Sequence, residues 1–224
     1  ANSISTAVQT RYLNRETGAE RFRAGIGQKF YIKNDNVLLD GSVSRFNRNR
    51  SDWIAFANGN ITDNSSLNSD WHYNQNLNRT EGFSTGVRYN PEAGKVLSAR
   101  YKYSRNEPIF LQENGEYYRD KLQQVDFAVQ WPLRKNYYAV GRFNYDIGVK
   151  RPLEQLIGVE YKSDCGCWSA SVVAQRYVTG LNTRKNAVFF NLQLKDLSNI
   201  GKNPLEQLRQ AIPGYSQINK VTQP

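Results

Sequence analysis

The sequence predicts an all-β protein: the antiparallel wall of a transmembrane β-barrel, about twelve strands of it, with a short C-terminal tail. Three observations carry this expectation. Side chains alternate apolar and polar nearly throughout, in segments of about ten residues between turn signals, the length and period of a strand that crosses a bilayer. Aromatic residues gather at segment ends, at Tyr12, Tyr89, Trp131, Tyr137, Tyr161 and Trp168, where a membrane interface favours amphipathic rings. The polar faces carry charges of both signs, including Arg88, Arg100, Lys102, Asp126, Arg142, Asp146, Glu160 and Lys162. A water-filled lumen tolerates such charges, whereas the dry core of a β-sandwich does not.

The totals agree. The 224 residues include 14 Tyr and 10 Phe and show no compositional break that would divide the chain. A mean hydropathy of −0.70 and the lack of any long apolar run argue against a transmembrane helix, but a barrel strand shows lipid only every second side chain. The net charge of +10 invites a nucleic-acid reading. Against it, the basic residues are spread along the strands, with no recognition-helix pattern and no zinc-finger spacing. An anionic partner remains, and it need not be a nucleic acid. The chain opens on Ala1 as a strand is already under way, so it reads as the C-terminal piece of a longer, processed protein.

Taken in order, strands are expected near 3–13, 21–32, 37–48, 52–61, 66–75, 81–90, 95–105, 119–131, 137–147, 153–162, 167–178 and 187–196, joined as hairpins. Val125, Phe127, Val129 and Trp131 share one face, and Gln124, Asp126, Ala128 and Gln130 the other. Val188, Phe190, Leu192 and Leu194 likewise oppose Ala187, Phe189, Asn191, Gln193 and Lys195. Segment 52–61 is ambiguous in phase because Trp53 and Ile54 are both large. Beyond Leu197 the alternation stops. Residues 198–224 form a tail with a short helix after an Asn203 cap and Pro204, irregular from Ile212-Pro213-Gly214 onward.

Turn lengths give an orientation. The connections at 33–36, 90–94, 132–135 and 163–166 are short, and those at 14–20, 106–118 and 179–186 are longer. Short turns face the periplasm in outer-membrane barrels. The turn Ser163-Asp164-Cys165-Gly166-Cys167-Trp168 and the tail are therefore expected in the periplasm, where disulfides persist.

That turn holds the only two cysteines. A thioredoxin-type site needs two intervening residues, and zinc needs further ligands where the chain offers one distant histidine, His72. External disulfides are favoured over a local bridge or free thiols. No catalytic constellation, metal site or cofactor motif is found; His72 reads as a lumen-facing hydrogen-bonding side chain. The basic residues Arg21, Arg23, Lys29, Arg88, Arg100, Lys102 and Arg142 read either as solvated charges balancing carboxylates or as a path for a phosphate-bearing anion.

Several runs resemble a known family. Gln124 to Leu133, Tyr138 to Tyr145 and Glu154 to Tyr161, then Cys167-Trp168, Val173 to Tyr177 and Asn186 to Leu197, are similar to the C-terminal barrel region of LptD, the outer-membrane lipopolysaccharide-assembly family. The likeness is strongest over 95–200. It implies a barrel of roughly 26 strands that releases lipopolysaccharide through a seam between its first and last strands, with a lipoprotein of the LptE type in the lumen. It also implies a periplasmic Lpt bridge delivering cargo to an N-terminal domain, and a last strand read by the barrel-assembly machinery. By the same resemblance, Cys165 and Cys167 correspond to paired cysteines that bridge to the N-terminal region, although the family's pair is adjacent and Gly166 separates this one. Ala187, Val188, Phe189, Phe190, Asn191, Leu192, Gln193, Leu194 and Lys195 would then form one lip of the seam. A porin-like channel for small solutes and a soluble β-sandwich binding module are the rival readings.

Overall fold

In the computed structural model the described residues are 3–31, 50–105, 110–111, 117–118, 121–179, 183–194, 198–201 and 205–216. The strands are β1 (Ser3–Leu13), β2 (Glu20–Tyr31), β3 (Trp53–Thr62), β4 (Ser65–Asn74), β5 (Arg79–Glu92), β6 (Lys95–Ser104), β7 (Phe110–Leu111), β8 (Tyr117–Tyr118), β9 (Leu122–Arg134), β10 (Tyr137–Asp146), β11 (Arg151–Lys162), β12 (Trp168–Val178), β13 (Arg184–Leu194) and β14 (Ser198–Gly201). One helix follows, α1 (Leu205–Ala211). Hydrogen-bonded order follows chain order without crossovers through a twelve-stranded sheet, while β7 and β8 form a separate two-stranded ribbon. The all-β antiparallel architecture matches the expectation, and β14 forms where the sequence pattern placed the start of the tail. The strand expected at 37–48 lies outside the described residues.

The chain forms two compact units, one of residues 1–61, 67–85 and 102–121, the other of residues 62–66, 86–101 and 122–224. In the first, β1 runs antiparallel to β2 from Ser3 opposite Tyr31 to Leu13 opposite Glu20. On its other edge β2 pairs with β3, Phe22 opposite Gly59 and Gly27 opposite Ile54. The hairpin partner expected for β2 at 37–48 is thus replaced by 53–62. This register also settles the phase that Trp53 and Ile54 left open. Val8, Ile26 and Ala55 share a face, and Ile54 falls on the opposite one with Gly27 and Ala7. Gly59 is required here, since a methyl group on it would lie 2.4 Å from the Arg21 carbonyl oxygen.

In the second unit, β9 to β14 form a run of antiparallel pairs. Two prolines inside these strands sit at register shifts. Tyr137 pairs with Arg134 and Tyr138 with Pro132, so Leu133 is the extra residue; Asn144 pairs with Glu154 and Tyr145 with Pro152, so Leu153 is the extra residue. Proline lacks the ladder donor, and a bulge is where a strand can do without one. This is why β9 continues to Arg134, past the turn expected at 132–135. The actual turn is Lys135-Asn136, with Asn136 at φ 74°, a left-handed position that asparagine tolerates.

The core of this unit lies on the polar-patterned face. Val96, Ala128, Val140, Leu156 and Val173 are buried there against Leu208, Ala211 and Ile212 of the C-terminal segment, with Phe189 and Tyr215 packed beside them. Leu208 and Ile212 are 0% exposed, each contributing about 1.5–3 kcal/mol by leaving water. The irregular tail expected from Ile212 onward is in fact docked as far as Ser216; residues 217–224 lie outside the described residues. The reason lies in the spacing of Val96, Val140, Leu156 and Val173. Their polar neighbours in sequence disguised an apolar patch that only strand register assembles.

Gly158 sits within this patch, opposite Val140 on one side and Val173 on the other. A methyl group on it would lie 2.7 Å from the Val172 carbonyl oxygen and within 3.0 Å of Val173 Cγ2 and Val140 Cγ2. Gly158→Ala is expected to destabilise the barrel by about 1–3 kcal/mol through overpacking. Gly86→Ala, where the added methyl group meets only ordinary 3.5 Å contacts, should be near neutral. The temperature at which the folded band collapses in detergent gel electrophoresis measures both.

Candidate functional site

The two faces of the second unit differ as a membrane wall requires. Phe127, Ile157, Val172, Val188 and Phe190 are exposed, Val188 by 72%, and all lie on the face opposite the tail. At the cysteine-turn end of that face the rings of Tyr137, Tyr161 and Trp168 are in contact, each successive pair 4.9 Å apart between centroids. Such a cluster suits the interfacial layer, where an aromatic ring can be half wet.

On the opposite face the sheet assembles an ion network. Arg142 on β10 donates from Nε to both oxygens of Asp126 on β9 at 3.1 Å, from Nη2 to Asp126 Oδ2 at 2.5 Å, and from Nη1 to Glu154 Oε2 on β11 at 2.8 Å. Gln175 on β12 donates to the other Glu154 oxygen at 2.8 Å. Two carboxylates around one guanidinium leave a net negative charge. Of the two readings of Arg142, these are the contacts of a charge that balances carboxylates. Asp146, also expected on this face, is buried and accepts from the backbone N–H groups of Gly148 and Val149, pinning the next turn. Arg100 and Lys102 lie on the same face of β6 as Val96 and keep exposed side chains. Arg88 lies close to Gly214 of the tail, where a methyl group would come within 3.1 Å of its Cδ. His72 is exposed, and the described residues hold no group of three or more histidine, cysteine or acidic side chains that could bind a metal.

Glu160, 1% exposed, meets the tail. The Tyr215 hydroxyl donates to its Oε1 at 2.6 Å, and Gln130 Nε2 lies 3.3 Å from its Oε2. Gln130 also clasps Ser216, donating to its carbonyl at 2.8 Å and accepting from its N–H at 2.9 Å. Burial and then the Glu160 carboxyl push the Tyr215 hydroxyl well above the usual tyrosine range. Glu154, Leu208, Ile212 and Tyr215 were not singled out from sequence, and Gln130 was placed only by its face; of the four, Glu154 carried a signal, since it shares the phase of Glu160 on β11.

The cysteine turn is tightly organised. Ser163 Oγ donates to the Trp168 carbonyl at 2.9 Å and accepts from its N–H at 3.1 Å, closing the ends of the turn. Gly166 adopts φ 63°, a conformation glycine reaches without strain. Cys165 and Cys167 are bonded to each other. With only two cysteines in the chain, neither has another partner within it. Asn136 donates to Asp164 at 2.7 Å and Lys135 reaches the same carboxyl oxygen at 3.3 Å, so the neighbouring turn braces this one. These contacts, the Asn136 hydrogen bond first, hold the Asp164 carboxyl below its usual range.

The last long strand, β13, pairs with β12 along its whole length, from Trp168 opposite Leu194 to Val178 opposite Arg184. On its other edge β14 covers Asn191 to Leu194, with Leu194 opposite Ser198. The expected lip thus divides. Ala187 to Phe190 precede the β14 pairing, Asn191 to Leu194 lie within it, and Lys195 lies outside the described residues.

A sheet with one exposed apolar face, an aromatic border and an opposite face of ion pairs and buried polar contacts is the wall of a transmembrane β-barrel. Residues 1–137 match the family model described as LPS transport system D, and the chain belongs to the LptD family. Relatives named "LPS-assembly protein LptD" include one from Neisseria meningitidis (serogroup B, strain H44/76), 60% identical over 99% of this chain and 28% of its own length. Others are from Chromobacterium violaceum, 41% identical over 98% and 27%, and Aromatoleum aromaticum, 36% identical over 98% and 26%. The chain thus spans little more than a quarter of these relatives. A NanC porin structure aligns with 86% of this chain and 93% of its own at a TM-score of 0.39 and 12% identity, a likeness too slight to bear on the fold.

Two outcomes follow from these geometries. Arg142→Ala, which leaves two carboxylates about four-fifths buried without their cation, is expected to cost about 2–4 kcal/mol, whereas exposed Arg100→Ala should change stability little; unfolding in urea compares them. Because the Tyr215 hydroxyl is harder to ionise when docked, its contribution is complete below the ordinary tyrosine pKa of about 10 and is lost as pH rises beyond it. Protease access to the tail should rise steeply there, and the rise should vanish in Tyr215→Phe.

Proposed function

We propose that this chain is the C-terminal barrel wall of a translocon that inserts lipopolysaccharide into the outer leaflet of the outer membrane, with β13 as one lip of a lateral seam. The observation that carries the reading is a sheet with an exposed apolar face in a chain 60% identical to a relative named LPS-assembly protein LptD. The physical logic is one of matching solvents. Acyl chains drawn through an aqueous lumen would expose apolar surface at roughly 25 cal/mol per Å². A parted seam lets them slide into lipid while sugars and phosphates stay on the polar face. No bond of the cargo changes, so the protein acts as a transporter and not as an enzyme.

We take the orientation from turn length. The connections at 163–167, 135–136, 93–94, 63–64 and 14–19 share one parity, so that 14–19, grouped with the long loops from the sequence, falls with the cysteine turn; those at 75–78, 105–121, 147–150 and 179–183 share the other, the long 105–121 among them. Short turns belong to the periplasmic end, and on that basis we assign the cysteine turn to the periplasm, with Ser198–Gly201 following β13 at the same end. Upstream cysteines of the full-length protein, themselves paired as a disulfide, would then exchange with the Cys165–Cys167 bond, two disulfides becoming two with no net change of oxidation state, and so tie the barrel's end to the N-terminal region. A lipoprotein of the LptE type in the lumen, the periplasmic Lpt bridge upstream and the barrel-assembly machinery reading β13 complete the proposed partners. The lip stretch free to part is Arg184 to Phe190, since β14 covers the remainder.

Two measurements on the full-length protein in its membrane test this. Benzoylphenylalanine at Phe190 should capture lipopolysaccharide on illumination, while the same group at outward-facing Phe143 should capture only phospholipid; equal capture at both would remove the seam. On a non-reducing gel, reduction should slow the mature protein, and Cys165→Ser or Cys167→Ser should each abolish one of the fast-migrating forms. Finding the two sulfurs bonded only to each other in mature protein would end the outward-bridge assignment.

A further inference from the structure

The C-terminal segment does more than follow the last strand. It turns back, and Leu208, Ile212 and Tyr215 pack over a patch contributed by five separate strands, with Val96 on β6, Ala128 on β9, Val140 on β10, Leu156 on β11 and Val173 on β12. Phe189 on β13 joins the same cluster. At its far end the segment is fixed by directed bonds, with Ser216 clasped by Gln130 and the Tyr215 hydroxyl on Glu160. Gly214, at φ 90°, makes the bend that brings Tyr215 down. In a lumen full of water such a dry patch, covered by the chain itself, ties strands together across their ladder instead of along it.

We infer that residues 205–216 are a strap that holds β6 and β9 to β13 as one stiff panel and so makes β13 the stationary lip, leaving the opposite strand to move when the seam parts. The inference rests on the seam reading above. Parting the seam breaks ladder bonds along one edge of β13. Without the strap that edge would fray by peeling β13 from β12, since the β12–β13 ladder is chemically no different from the one meant to open. The strap breaks this equivalence. Peeling β13 would drag Phe189 out of a packed cluster, so the seam is the weaker joint. It also carries the alternative that the segment is a plug that must leave for cargo to pass, and the two differ in what happens during transport.

In the full-length protein, Tyr215→benzoylphenylalanine should crosslink on illumination to peptides containing Gln130 or Glu160. The yield should be the same in cells exporting lipopolysaccharide and in cells whose lipopolysaccharide synthesis has been stopped. Ile212→Asp should expose the tail to protease, lower the temperature at which the folded band collapses and reduce lipopolysaccharide at the surface, while Ile212→Leu should keep all three near wild type. A crosslink yield that falls several-fold during export would make the segment a moving plug and overturn the strap. So would an Ile212→Asp protein whose tail is protease-sensitive but whose folded band and export are unchanged. Loss of the seam itself would show separately, as absent lipopolysaccharide capture at Phe190, a position on the face away from the tail.

Discussion

Everything in this wall depends on the rule that a backbone hydrogen-bonding group facing hydrocarbon must find its partner in the ladder. The cost of leaving one unpaired is several kcal/mol, and it dictates the rest: long strands, tight turns, Pro132 and Pro152 at bulges in the pairing, and Asn136 and Gly166 where a turn needs φ above zero. Side-chain chemistry is then free to differ between the faces, because the ladder has already satisfied the main chain. The same rule gives an opening between strands its meaning. A seam in such a wall can exist only where the ladder is meant to be broken and remade.

The polar-patterned face uses its charges in two ways. Around Arg142 they are paired into a closed network whose guanidinium is engaged by Asp126 and Glu154, which gives cross-strand stiffness and leaves little for an anion to bind. On β6 the exposed Arg100 and Lys102 keep their charge available to the solvent. Beside these lies a third environment, a dry patch sealed by the C-terminal segment. A single strand face thus changes from ionic to apolar within a few residues, as from Arg142 to Val140 on β10.

Much of this was legible in the sequence because a period of two is an unusually direct signal. Phe127 against Ala128 and Phe190 against Asn191 fall on the faces their alternation implies, and the paired faces and the aromatic border at Tyr137, Tyr161 and Trp168 follow. What was not legible depended on register. The direct pairing of β2 with β3, the extra residues Leu133 and Leu153, and the meeting of Val96, Val140, Leu156 and Val173 are relations between strands that no single segment encodes. The docked tail was missed for the same reason. Ile212-Pro213-Gly214 reads locally as a break, and only the assembled patch turns that break into the bend that seats Tyr215.

The bracing of the cysteine turn has a kinetic side. Asn136 and Lys135 hold Asp164, and Ser163 closes the turn onto Trp168, so the two sulfurs sit on a fixed platform at the end of the sheet. Thiol–disulfide exchange needs a thiolate to approach a sulfur along a defined line. When one party is immobile, the rate is set by how often the other arrives, that is, by its effective concentration on a tether. In the exchange proposed above, a platform of this kind would leave the timing to the arriving upstream cysteines.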